Sequence, residues 1–577
     1  MFSGIDQLEA AIGEFGALAG FAENPFSERS LALVATRFPP VVVEAYRRAA
    51  RFWATIPSRA GFASFVQHPR TLFDVEPSPT SQGGSIRPPE LALQVGIVEE
   101  WLRDALDAKP TSDRWGTQNA LTRAQSSAAL RHLRLHDALL LALAGLYEVA
   151  ARPRRISFAL TSSGRKSMIR RHWAMMLERG SQFAFHQAIA SLVASFKPEQ
   201  TPGRHILDEI PDPIWAQLEL LFMDRFFSFG AGVAEAYPRQ DVVKRLRAYC
   251  RWFAVLEVCR EAGEPVLELA PDRARSVGLD LQLLAELEAD RRSATHLDKG
   301  IQRANEGLTL GGVSLAHAIE VGKHVALPDT AYKDLADWFQ EGFSIEYLQA
   351  YCDPEDYLVR PGFKRAAEGG RARFDCDLAI YDRQRNLFFF VQTKFKRASR
   401  LATVSDEIRA LTHRNSAVTK GFDQIVTLRS RIGEVAVVDA IRGRFPELEI
   451  DAAALVARSK YLVVHNIPEF NGLVRDGVVM YEWNMFRNLL ARGQMTVTRT
   501  RMKETTSDEM NAPDVLALED VDKVFEYLGG GLGLNQRSIT EAFEHYSHAR
   551  LSFEVPRQGG GFAELLKRRT RVETPLL

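Results

Sequence analysis

The stretch FDCDLAIYDRQRNLFFFVQTKFK, Phe374 to Lys396, sets three side chains of different chemistry at the ends of two apolar runs. Leu387–Val391 has the unbroken apolar texture of a buried strand, yet it runs directly into Gln392, Thr393 and Lys394. Side chains alternate along a strand, so Gln392 and Lys394 share one face of the strand expected over Leu387–Phe395. The residues DRQRN, 382–386, form a natural hairpin connection. The partner strand, running back from Tyr381, then brings Asp377 to the Gln392/Lys394 end. Asp375 shares a strand face with Asp377 and competes with it; Asp377 is favoured because the apolar run follows it directly.

An acid, an amide and an ammonium gathered at a sheet rim can cut a phosphodiester. That reaction needs a divalent ion to polarise the phosphate and lower the pKa of the attacking water. Mg²⁺, with Mn²⁺ as its substitute, takes hard oxygen ligands and keeps several waters, so one or two carboxylates plus a carbonyl suffice. Asp377 suits the role of metal ligand, with Gln392 and the backbone carbonyl of Thr393 beside it. Lys394 suits the role of orienting the water or stabilising developing negative charge.

The elements that must position these residues are legible around them. LPDTAYKDLADWFQEGFSIEYLQAYC reads as helix, with Asp329 as its N-cap. Strands are expected at 374–381, 387–395, 461–465 and 478–483, with a helix around 404–432 between the second and third. Residues 326–498 are therefore expected to form an α/β core with a mixed sheet flanked by helices. Residues 1–325 read as helical nearly throughout, LRLHDALLLALAGLYEVAAR (133–152) among them, and suit recognition or regulation. Residues 499–577 read as a mixed extension. Its glycine-rich turns, LGGGLG (528–533) and QGGGF (558–562), lack the strand and helix context of a phosphate cradle.

The ordered series Asp377, Gln392-x-Lys394 resembles the PD-(D/E)xK nuclease superfamily over roughly residues 330–495. Gln392 stands where Asp or Glu is usual; the Q-x-K form is similar to that of Mrr-like restriction endonucleases, and it leaves the site one negative charge short. The resemblance implies a restriction-endonuclease-like core and a Mg²⁺-dependent endonuclease, most consistent with DNA and with restriction or antiviral defence. It also implies a glutamate on the preceding helix, where Glu346 is favoured over Glu341, and a glutamine on the following helix, where Gln424 is the candidate. A nuclease-like fold that has lost its metal and binds nucleic acid or a partner protein is the alternative. Cutting both strands of a duplex would favour a homodimer or a partner subunit.

Charge agrees locally rather than globally. Lys plus Arg and Asp plus Glu both number 73, but Arg360 to Arg400 holds eleven basic against four acidic residues. A phosphate backbone needs such a footprint. Arg371, Arg373, Lys396 and Arg397 lie in it. A second basic stretch, 151–173, has seven basic residues, Arg154, Arg155, Arg165 and Lys166 among them, and no acidic one; KRRTR (567–571) is a third. His132 and His136, one turn apart, lack a third ligand and an HExxH pattern, and His317 and His324 offer no more. The four cysteines have no CxxC pairing, the amino terminus has no basic n-region, and the longest apolar run, 138–147, is half a membrane span. A cytoplasmic protein without a membrane segment is the expectation.

Overall fold

The computed structural model describes residues 18, 20–22, 25–55, 123–168, 170, 189, 191–195, 205–227, 236–262, 266–289, 301–304, 307–311, 324–366, 372–396, 407, 410–411, 416–492, 494–501, 504–511, 517–524, 543–548 and 551–556.

Its centre is a six-stranded mixed sheet. The strands are β1 (Tyr357–Ala366), β2 (Ala372–Asp382), β3 (Leu387–Lys394), β4 (Ser459–His465), β5 (Leu473–Arg475) and β6 (Val478–Glu482), in the spatial order β5-β6-β4-β3-β2-β1. The first three form an antiparallel meander; β3, β4 and β6 run parallel. Parallel strands need crossovers, and those in open α/β sheets are covered on both faces, which explains the continuous apolar texture of β3. Phe388 and Phe390 turn to one core and Phe389 and Val391 to the other.

The helices that cover the sheet are α1 (Asp329–Trp338), α2 (Ser344–Tyr351), α3 (Ala417–Ser430), α4 (Val435–Arg444), α5 (Ala452–Arg458) and α6 (Trp483–Arg492). α3, α4 and α5 close one face through Val418, Phe422, Ile425, Val437, Ile441 and Leu455. α1, α2 and α6 close the other, and the helices Asp212–Phe227 and Gln240–Glu261 join the same core. Leu518, Val521 and Val524 complete it. Asp329, expected as an N-cap, is instead the first helical residue of α1, with Pro328 in the cap position. Its charge still lies in the first turn, where the helix dipole favours an anion.

Where residues 1–325 are described, they include strands as well as helices, although the sequence suggests helix nearly throughout. A helix ends at Leu143, Gly145 takes φ +71°, and an antiparallel pair Tyr147–Arg152/Arg155–Leu160 follows. The glycine in the left-handed region stops the helix, so the apolar run through it spans two elements. The strand Leu551–Pro556 adds parallel to Arg155–Leu160 and pairs with Phe543–His548, giving a four-stranded sheet. A three-stranded sheet joins Val266–Leu269, Ile301–Ala304 and Gly307–Gly311. His136 is buried in this amino-terminal region, its Nδ1 2.9 Å from the Tyr46 hydroxyl and its ring stacked on Phe21. The buried Arg170 guanidinium donates to the carbonyls of Glu469 (3.0 Å) and Asn471 (3.2 Å), beyond the end of β4. Among the described residues, no helix is long and apolar enough to cross a membrane.

Candidate functional site

β2 breaks its own alternation where the site begins. Phe374 and Cys376 lie in the core under α3, whereas Leu378 and Ile380 lie in the core on the opposite face. Strict period-two alternation would put all four on one face. The backbone shift needs room on the β1 side, and Gly362 supplies it: a Cβ there would sit 1.8 Å from the Cys376 carbonyl oxygen and 2.4 Å from the Asp377 carbonyl carbon. On the β3 side the ladder stops at Leu378↔Val391. The Asp377 carboxylate then takes over as acceptor, receiving the Thr393 N–H at 2.8 Å and Gln392 Nε2 at 2.6 Å, both on Oδ2. One side chain thus replaces the backbone carbonyl that a regular strand would offer.

Lys394 completes the group, with Nζ 4.0 Å from Asp377 Oδ2. That separation is an ion pair without direct hydrogen-bond contact. The two side chains keep 16% and 13% of their surface exposed, so the site is reachable rather than sealed. Gly421 of α3 lets the lysine pass, since a Cβ at that position would lie 2.6 Å from Lys394 Cγ and 3.1 Å from its Cε. One turn on, Gln424 Nε2 donates to Asp375 Oδ2 at 2.7 Å. Asp375, Asp377, Gln392, Lys394 and Gln424 therefore stand together where β2, β3 and α3 meet.

Both glutamines spend their donors on carboxylates, and a carboxylate can only accept, which fixes the amide orientation. Their oxygens, Gln392 Oε1 and Gln424 Oε1, are buried and have no hydrogen-bond partner. Burial pushes the Asp377 carboxyl up to about 6, against the pull of Lys394 and the Thr393 N–H. Two orphaned amide oxygens thus stand beside a carboxylate that burial makes costly to ionise.

The carboxyl ends of the parallel strands hold the rest of the rim. Lys394, His465 and Glu482 are register neighbours across β3, β4 and β6. Asn466 fixes the chain leaving β3, accepting the Lys396 N–H at 2.8 Å and donating to the Lys396 carbonyl at 2.7 Å. The Tyr332 hydroxyl of α1 donates to the Phe395 carbonyl. Glu482 accepts from Met485 N–H at 3.1 Å and Asn484 Nδ2 at 2.9 Å, capping α6; burial pushes its carboxyl up to about 7.

Glu346 does not join this group. α2 turns Ile345 and Leu348 into the core on the opposite face of the sheet and leaves Glu346 exposed. Glu341, its competitor, pairs at 3.6 Å with Lys364, which is the cross-strand partner of Asp375. The basic segment 360–400 also divides. Arg360 is tied to Glu447 and Arg385 to Asp382 and Glu519, and Arg383 sits in the β2–β3 turn, so these three lie away from Lys394. Lys396 is half-buried beside the site. Arg371 and Arg397 lie outside the described residues, and for Arg373 only its place in β2 is described. Arg154 and Arg155 are exposed at the turn and start of the amino-terminal strand pair; Arg165 and Lys166 are exposed on the helical segment 162–168, with Lys166 Nζ 3.9 Å from Asp522. Sequence reasoning missed Gly362, Gly421 and His465; only His465, closing the apolar run KYLVVHN, carried a signal of its own.

Among the described residues, no group of three or more His, Cys, Asp or Glu side chains could hold a metal ion. A cation seated at this site would rest on one or two carboxylates with amide and carbonyl oxygens. The donors present fit that: Asp377, Asp375, the unpartnered Gln392 Oε1 and Gln424 Oε1, and the Thr393 carbonyl, which leaves the strand on the same side as the N–H that Asp377 accepts. Comparison of the chain with protein-family models, with curated proteins and with solved structures finds no match in any of the three.

Proposed function

We propose that this chain is a divalent-metal-dependent phosphodiester hydrolase of the PD-(D/E)xK kind in its Q-x-K form, acting on DNA in preference to RNA. The observation that carries the reading is the buried, unpartnered Gln392 Oε1 held beside Asp377 and 16%-exposed Lys394 at adjoining strand ends. Buried polar atoms in native folds are almost always paired, so an orphaned pair of amide oxygens next to an acid asks for a cation.

In this reading Asp377, Gln392 Oε1 and the Thr393 carbonyl hold Mg²⁺ or Mn²⁺, with Gln424 and Asp375 at its edge. The bound ion supplies Lewis-acid polarisation of the phosphate and an acidified water. Asp377 orients the amide of Gln392 by accepting from its Nε2, which leaves the buried Oε1 free of that bond. Lys394, held in line by Gly421, presents its ammonium to the oxygen on which negative charge grows. The expected role in restriction or defence against foreign DNA, and a dimer that would cut both strands, rest on the family resemblance alone.

Purified protein incubated with plasmid, linear duplex and single-stranded DNA and with RNA, in Mg²⁺, Mn²⁺ or EDTA, tests this. Cleavage that EDTA abolishes, and that Asp377→Ala and Lys394→Ala each remove, is expected. Cleavage that persists in both variants would place the active site elsewhere. Metal-independent binding without cleavage would favour a nuclease-like binding module, the reading to which the shortage of carboxylates points.

A further inference from the structure

His465 closes β4 in register with Lys394 of the parallel neighbour β3. Tyr461 and Val463, four and two residues back, lie in the core under α3, whereas Leu462 and Val464 lie in the opposite core. Alternation therefore puts the imidazole on the face that carries Gln392 and Lys394, about 4.8 Å across the ladder from the lysine's strand. Its Nδ1 accepts the Ile467 N–H at 3.1 Å. An imidazole nitrogen that accepts carries no proton, so the neutral ring has its N–H at Nε2. That Nε2 is buried and has no hydrogen-bond partner, the ring stands edge-to-face with Phe470 at 5.9 Å, and the residue as a whole is 2% exposed. Burial pulls the ring down to about 3, which keeps it a neutral donor throughout the working range.

Across the strand order the site is polarised. β2 contributes only acceptors, Asp375 and Asp377; β3 contributes the Gln392 oxygen and the Lys394 ammonium; β4 contributes an N–H. A phosphodiester has matching halves, one oxygen for a cation and another for donors. We propose that His465, through its Nε2–H, donates to a non-bridging phosphate oxygen of the nucleic acid beside Lys394, gripping the group from β4 as well as β3. No proton is transferred; the ring is a fixed neutral donor. The inference rests on the phosphodiesterase reading and goes beyond the three-residue motif that suggested it.

The full-length protein tests it in two ways. Selective ¹⁵N-histidine labelling, with His465 assigned by its absence from the His465→Gln spectrum, reads the ring directly in EDTA. A protonated Nε2 is expected in the free protein, and its proton resonance is expected to move downfield when a short DNA duplex is added. Single-turnover cleavage is expected to fall roughly 10- to 100-fold in His465→Leu, the loss of one hydrogen bond to a charged group, and to return to within about fivefold of wild type in His465→Gln, whose amide reaches the same position. A wild type that binds and cleaves duplex while its His465 resonance stays fixed, and a His465→Leu that cleaves at full rate, would overturn this inference and leave the phosphodiesterase reading standing. A wild type that neither binds nor cleaves would overturn both.

Discussion

Replacing Asp377 by asparagine should stabilise the metal-free protein while destroying its function. The Asp377 carboxyl is raised from 3.8 to about 6, chiefly by burial. Two pKa units correspond to roughly 3 kcal/mol between the protonated and ionised forms. The sign follows from the direction. The folded state holds this proton more tightly than the unfolded chain, so Asp377's contribution is fully present below its unfolded value. It is lost as the pH rises through about 6. At pH 8 the wild type therefore carries the whole cost of an ionised, buried carboxylate, and an isosteric amide carries none. The amide oxygen of the Asp377→Asn variant can take the place of Oδ2 and accept both the Thr393 N–H and Gln392 Nε2, though with weaker bonds than a carboxylate makes, so a net gain of about 2 kcal/mol is expected. For a unit of ~170 residues that is roughly 4–8 °C in melting temperature. Thermal melts of wild type and Asp377→Asn in EDTA from pH 4 to pH 8 should show the gap opening through the acid range and flat above about pH 7. Adding Mg²⁺ at pH 8 should close it by stabilising only the wild type. An Asp377→Asn protein no more stable than wild type at pH 8 in EDTA would refute the argument that this carboxylate is held at a cost.

Gln392→Glu places a second carboxylate against Asp377, whose Oδ2 now accepts from Gln392 at 2.6 Å. It should lower the melting temperature in EDTA at pH 8, enlarge the stabilisation by Mg²⁺, and retain or raise cleavage; lost cleavage with intact metal response would show that the neutral amide has another purpose. Gly421→Ala displaces the Lys394 stem, which a Cβ would meet at 2.6 Å. Because alanine favours the helix by up to ~1 kcal/mol, the melt should barely move while single-turnover cleavage falls tenfold or more. Gly362→Ala meets backbone at 1.8 Å rather than a flexible side chain, so a loss of about 3 kcal/mol or more, on the order of a core disruption, should appear as a lowered melt or insoluble protein. Arg385→Ala strands the buried Asp382 carboxylate and should cost about 3–5 kcal/mol with the site's geometry untouched.

The hairpin and its polar end were legible because β3 reports burial through composition and β2 through its turn. The period-two rule placed Gln392 and Lys394 on one face without further help. It failed at Cys376, where β2 shifts faces, since a shift that depends on a glycine in another strand leaves no periodic trace. β1 escaped for a related reason: Pro361 and Gly362 interrupt it, and both residues usually argue against a strand interior. Gln424 was singled out by its place in an ordered series, and it bonds to Asp375. Its partner Asp375 was weighed only as a rival to Asp377, although each carboxylate accepts from a different glutamine. Linear charge counting misled most, because Arg360 and Arg385 are consumed by Glu447, Asp382 and Glu519 away from the site.

The Arg170 guanidinium, which serves the carbonyls of Glu469 and Asn471 from 299 and 301 positions away, sets a limit on dissecting this protein. Those carbonyls belong to the turn that continues from Asn466, the clamp on the chain after Lys394. A fragment cut to begin at the six-stranded sheet would strip that turn of its donor and leave buried oxygens facing nothing, a loss of ~1–3 kcal/mol for each. The smallest excised piece able to keep the rim in shape must carry residue 170 with it.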